Sequence, residues 1–270
     1  MPAAPGRAIA SIKKAGTKDS SVRNCVSAAE WNVRTELAAA YRLVAQYGWD
    51  DLIFTHMSAR VPDAPDQYLL NPLGLLFEEV TASSLVKVAA DGAVLLDERG
   101  SGINPGGFVI HGAVHAARHD ANCVIHLHTV ASVAVSCQKG GLLPLQQGAM
   151  MIADEVTYHD YEGIALDTEE RVRLNANLGQ KNYMILRNHG LLTLGGTVGD
   201  AFARAYSLNR SCEIQLAAQS GGADLNWPDQ AVRDKVRHQV RPQGSTSKNN
   251  ALAWAALLRR LERTDPGYKD

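Results

Sequence analysis

Between positions 52 and 96 the chain strings together four short apolar runs with no helix-length pattern between them: Leu52 to Val61, Tyr68 to Asn71, Leu85 to Ala89 and Ala93 to Leu96. An antiparallel meander is the simplest reading of runs spaced this way. Asp91-Gly92 stands between the last two, where a hairpin turn asks for residues that tolerate positive φ. Elsewhere the period changes. From Ser27 to Tyr47 apolar residues recur every three or four positions, which predicts a helix closed by Gly48, and a second helical pattern opens at Pro105-Gly106-Gly107 and runs to about Ala117. CVIHLH (123 to 128) reads as a buried strand, with a helix beginning near Val130. Strands are expected at Val156 to Tyr158, Asn182 to Arg187 and Leu191 to Leu194, and helices at Glu169 to Leu178 and Val198 to Ser220. A last helix, Ala251 to Arg263, follows the polar segment 241 to 250. Because strict strand-helix alternation is missing, the expected class is α/β, a layered domain with a mainly antiparallel sheet.

Composition narrows the partners. With 270 residues, 46% of them hydrophobic, the chain can bury one large core, and we read residues 25 to 270 as a single domain behind a disordered lead-in over 1 to 24. A formal net charge of −1 gives no electrostatic reason to expect nucleic acid or an anionic membrane as partner. No run approaches a membrane span or a signal peptide. The four cysteines are widely spaced without a CxxC pair, so reduced thiols and a cytoplasmic location are expected.

Eight of the nine histidines fall between His56 and His189. On a strand, residues i and i+2 share a face, so His126 and His128 can aim at one point as ligands of a divalent cation; the alternative is a pair of hydrogen-bonded core histidines. His189, in Arg187-Asn188-His189-Gly190, again ends an apolar strand and supplies a third candidate. Three such ligands leave a position open for water or substrate. His111 and His115, four apart on a helix, lack the glutamate of HExxH, which argues against a metalloprotease and for helix packing. His119 is expected to be exposed, and His238 lies in a charged helix.

These residues, taken in order, resemble the class II aldolase/adducin family from Trp31 to the C-terminus. The likeness rests on RLVAQYGWDDLIFTHMSAR (42 to 60), NPLG (71 to 74), GFVIH (107 to 111), HLH (126 to 128), YHDYEG (158 to 163) and RNHG (187 to 190). It implies an α/β/α sandwich around a largely antiparallel sheet, and a homotetramer with active sites between subunits. It also implies a divalent metal, zinc first and Mn, Fe, Co or Mg as other candidates, held by His126, His128 and His189.

The departures bear on the reaction. The sugar-phosphate aldolases of the family carry an acid/base glutamate four residues before the counterpart of His111, and position 107 here is glycine. Their phosphate-binding Gly-Asn-x-Ser, Thr-Pro-Thr-Gly and paired serines become Thr55-His56-Met57-Ser58, Asn71-Pro72-Leu73-Gly74 and Pro105-Gly106, which leaves few donors for a phosphate dianion. The substrate expected is an unphosphorylated carboxylate or carbonyl compound, met by His56, Ser58 and Gly74, with Arg60 as a further positive charge. The expected activity is that of a metal-dependent carbon-carbon lyase, a decarboxylase of a hydroxylated aromatic or oxo acid, with His159 or Tyr161 returning the proton and Glu162 as a weaker substitute base. Aldol cleavage of an unphosphorylated hydroxy-carbonyl compound is one alternative. Another is a non-catalytic scaffold, since the adducin head lacks the same glutamate. In relatives a C-terminal tyrosine can fold over the site, which makes Tyr268 a further candidate.

Overall fold

The structure, a computed structural model, describes residues 21–163, 169–240 and 245–270. Helices α1 (Val22–Cys25) and α2 (Ala28–Gln46) lead into the strands β1 (His56–Val61), β2 (Ala64–Leu70), β3 (Val86–Ala89) and β4 (Val94–Leu96). Then come α3 (Pro105–Ala117), β5 (Cys123–Leu127), α4 (Val130–Ser136), α5 (Gln147–Ile152), β6 (Val156–His159), α6 (Glu170–Leu178), β7 (Tyr183–Leu186) and β8 (Gly190–Gly195). The chain closes with α7 (Val198–Gln219), α8 (Gln230–Val240) and α9 (Ser245–Thr264).

Eight strands form one sheet in the order β4-β3-β2-β1-β5-β8-β7-β6. Every neighbouring pair is antiparallel except β6 with β7. β1 to β4 form the expected meander, with one turn of 3-10 helix at Phe77–Glu79 between β2 and β3, and Gly92 turns its last hairpin at φ +90°. Alternation along the central strands sorts side chains between two helical layers. Met57, Ala59, Val61, Ile125 and Leu191 pack into a core with α2, α7 and Trp254 of α9, whereas Val124, Met184, Leu186, Leu192 and Leu194 pack against α3 and α6. The result is the helix-sheet-helix layering implied by the resemblance.

Local chemistry sets the helix starts. Ser27 accepts from the Glu30 N–H at the head of α2, and Asn104 accepts from the Gly106 N–H at the head of α3, where Pro105 needs no partner of its own. Several boundaries differ from expectation, among them the start of β2, at Ala64 rather than Tyr68. β1 begins at His56 rather than Leu52, because Leu52 and Thr55 take φ of +52° and +65° and fold 51 to 54 into a turn. The final helix begins at Ser245 rather than Ala251, since polar residues suit a helix start as well as a tether. Of the expected lead-in, residues 1–20 lie outside the described residues, while Val22–Cys25 is helical with Val22 buried. All four cysteines are free, and among the described residues no helix is long and apolar enough to cross a membrane.

Candidate functional site

β5 sits at the middle of the sheet, paired with β1 on one side and β8 on the other. His126 faces the α3 side, directly opposite His56 of β1, and His128 follows just past the strand end. Thr129 then accepts from the Ser132 N–H and starts α4, so the strand stops immediately after the second histidine. His189 arrives from the β7–β8 hairpin. Its turn needs Asn188 at φ +57°, a conformation asparagine tolerates, and then Gly190, where a Cβ would lie 2.4 Å from the Leu127 carbonyl oxygen. Only glycine lets the hairpin come this close to β5. The rings of His126 and His189, and of His128 and His189, have centroids 4.7 Å apart, and one nitrogen from each of the three histidines lies within 4.8 Å of the others.

The hydrogen bonds decide what these rings present. His126 Nδ1 is 2.9 Å from the Leu191 carbonyl and His128 Nδ1 is 3.0 Å from the Asp51 carboxylate; both acceptors demand a proton on Nδ1. In the neutral rings both Nε2 atoms are therefore bare, and they face each other at 3.0 Å. Two lone pairs at that distance repel unless something positive lies between them. Burial holds His126 well below its ordinary pKa and, with His128 as second cause, lowers His189 to about 4, so neither of these two rings readily takes up that positive charge as a proton. A divalent cation fits: tetrahedral zinc bonds of ~2.0–2.1 Å place ligand nitrogens about 3.3 Å apart.

The three histidines open on a pocket of about 760 Å³ walled by Phe54, Ile110, Val130 and Val133, with Tyr161 among its lining residues. No lysine or arginine is among the described lining residues. His56 forms part of the wall. It is buried, and burial, then His128, lowers its pKa to about 4, so it brings no positive charge at neutral pH, against expectation. Among the described residues its ring nitrogens make no hydrogen bond of good geometry, and only the backbone of Gly107 and Thr55 interacts with them. A Cβ on Gly107 would lie 2.6–2.7 Å from three His56 ring atoms. The imidazole thus fills the volume that any side chain at position 107 would need.

Other expected site residues lie elsewhere. Ser58 is fully buried with its hydroxyl between His111 Nδ1 at 2.6 Å and His115 Nε2 at 2.8 Å, and does not line the pocket. Those two histidines pack as helix residues, and His115 Nδ1 donates to the Ala121 carbonyl. The sheet register shifts only after Arg60, so Arg60 shares the face of His56 and Ser58, but its guanidinium donates to the His115 and Pro65 carbonyls. Gly74 occupies a turn at φ +89° outside the pocket lining. His159 lies behind the pocket, in a smaller cavity with Tyr161 and His189, its Nδ1 accepting from Asn177 and its Nε2 3.4 Å from Glu170. Glu162 is held by Arg173. Tyr268 is buried in the core cluster shared with α2, and its carbonyl accepts from the Ala82 N–H. Of the expected substrate and proton-transfer residues, His56 and Tyr161 therefore share the pocket with the three histidines.

Asp51 lies within the motif 42 to 60, but nothing in its spacing marks it as a partner of His128. Sequence reading also missed the local backbone. Leu52, Thr55 and Asn188 are the described non-glycine residues with positive φ, and all three border this pocket or the turn that holds Asp51. Such conformations cost about 1–3 kcal/mol each and gather where function over-determines the backbone.

Comparison with known proteins agrees with this architecture. The profile of the Class II Aldolase and Adducin N-terminal domain matches residues 35–216. A Pseudomonas aeruginosa protein provisionally named an aldolase class 2 protein is 54% identical over 90% of this chain and 94% of its own. Mouse alpha-adducin is 48% identical over 71% of this chain, which spans only 26% of the adducin. A solved aldolase II superfamily protein from Pseudomonas syringae superposes with a TM-score of 0.90 at 52% identity, over 93% of this chain and 100% of that one. With the profile, the relatives and the fold in agreement, the chain belongs to the class II aldolase and adducin family.

Proposed function

We propose that this protein is a divalent-metal-dependent carbon-carbon lyase that decarboxylates a hydroxylated aromatic or oxo carboxylic acid. The observation that carries the reading is the pair of Nε2 atoms of His126 and His128 converging with His189 on a pocket whose described lining has no lysine or arginine. A cation held there, zinc first among the candidates, supplies Lewis acidity toward a substrate oxygen next to the leaving carboxylate. The chain's own residues do the rest. Phe54, Ile110, Val130 and Val133 offer apolar walls to the body of the substrate and exclude water. Without lysine or arginine among its described lining residues, the pocket offers no cationic side chain of those two types to a phosphate dianion. When the bond to the carboxylate breaks, carbon dioxide leaves, the electron pair stays on the substrate carbon, and the Tyr161 hydroxyl returns a proton to it. His56, buried in the inner wall, meets a substrate oxygen there. Exposed Phe54 and Val130 at the pocket support a homotetramer with sites between subunits as the working form.

Metal-loaded protein incubated with a panel of hydroxyaromatic and oxo acids is expected to release carbon dioxide. Release of an aldehyde from hydroxy-carbonyl compounds would shift the assignment to aldol cleavage, and a broad panel yielding neither would reject both. The likeness to alpha-adducin favours a second reading, a non-catalytic binding protein. Metal content separates the two: about one tightly bound ion per chain supports catalysis, and metal-free native protein supports the scaffold.

A further inference from the structure

Asp51 stands outside the three-histidine group yet touches it. Its Oδ2 is 3.0 Å from His128 Nδ1, and it begins the turn in which Asp51 and Phe54 pair across a single β-bridge. We propose that Asp51 is a positioning residue for His128, and that the left-handed turn of residues 51 to 55 serves to deliver it. This rests on the metal-binding reading of the three histidines.

Three observations point the same way. First, His126 has its Nδ1 proton held by a backbone carbonyl of the sheet, the Leu191 carbonyl, which the β5–β8 pairing provides automatically. His128 lies beyond the end of β5 and has no such neighbour in the ladder, so its ring orientation and tautomer require an acceptor from elsewhere. Second, the acceptor arrives on a backbone with two non-glycine residues at positive φ, Leu52 at +52° and Thr55 at +65°. A β-branched threonine avoids that region unless its surroundings impose it. Third, the same turn sets Phe54 in the pocket wall and ends where His56 begins β1, so one distortion places three groups around one site. An exposed ion pair at the surface contributes little to stability. A carboxylate that fixes a ligand's tautomer acts instead on metal affinity, typically by 10–100-fold.

The test compares wild type, Asp51→Asn and Asp51→Ala, measuring zinc affinity by chelator competition and the visible spectrum of the cobalt-loaded proteins. Asp51→Ala should bind zinc about 10–100-fold more weakly and alter the cobalt spectrum, while the melting temperature of the metal-free protein stays the same. Asp51→Asn keeps an oxygen that accepts from Nδ1–H and should fall between the two. Wild-type affinity and an unchanged spectrum in Asp51→Ala would overturn the proposal and leave the metal reading standing. A wild type that binds neither ion would overturn both.

Discussion

Gly107 and His56 make one unit at the scale of single residues. The imidazole lies where a Cβ at position 107 would have to go, so the two positions can change only together. Gly107→Ala is expected to cost about 1–3 kcal/mol in chemical denaturation, the usual penalty of overpacking. Combining it with His56→Ala should recover most of that loss, and strictly additive costs would show that the ring does not occupy the space. Gly190 faces a harder obstacle, because its Cβ would meet a backbone oxygen at 2.4 Å rather than the end of a side chain. Gly190→Ala should therefore exceed Gly107→Ala in cost, reaching about 3 kcal/mol or more, read as loss of soluble yield or a lowered melting temperature.

Helix α3 shows how an element can be both docked and poised. Its His111 and His115 clasp Ser58 of β1 inside the protein, and burial lowers His115 to about 3 from its ordinary 6.5. Arg60, whose guanidinium donates to the His115 carbonyl, adds to the lowering. The folded state keeps this ring neutral, whereas the unfolded chain takes up a proton once the pH falls below about 6.5. Stability is thus greatest above that value and is lost as pH falls from about 6.5 toward about 3, because protons then favour the unfolded state. Urea titrations over this window should show the decline, and His115→Gln, which cannot titrate, should show a shallower one. Equal slopes would remove His115 from the account.

For the molecule as a whole, the site joins elements distant in sequence: β5, the β7–β8 hairpin and the turn before β1. A cation held between the end of β5 and the β7–β8 hairpin should stabilise the folded chain by mass action. Divalent metal at a hundred times its dissociation constant is expected to add about 2.7 kcal/mol, a rise of roughly 5–10 °C in melting temperature that chelation reverses. His126→Ala should abolish the response, and a shift as large as that of wild type would place the binding elsewhere.

Short-range pattern made much of this legible. The meander follows from successive short apolar runs with Asp91-Gly92 at the last turn, α3 from Pro105 and its period, and the shared side of His126 and His128 from two-residue alternation. His189 was readable as a candidate because Asn188-Gly190 spells a tight turn at a strand end. Distance was not. A sequence lists Ser58, Arg60 and His159 as polar groups near a motif, and only packing shows that carbonyls, imidazoles and carboxylates of the protein itself already engage them. Equally, nothing local ties Asp51 to His128 or Gly107 to His56, since those contacts form when the turn before β1 and the first turn of α3 meet beside β5. Local periodicity determined which residues could face one another; the closing of the sheet and its helical layers decided which of them meet, because hydrogen bonds and steric exclusion act over a few ångströms of space, whatever the separation along the chain.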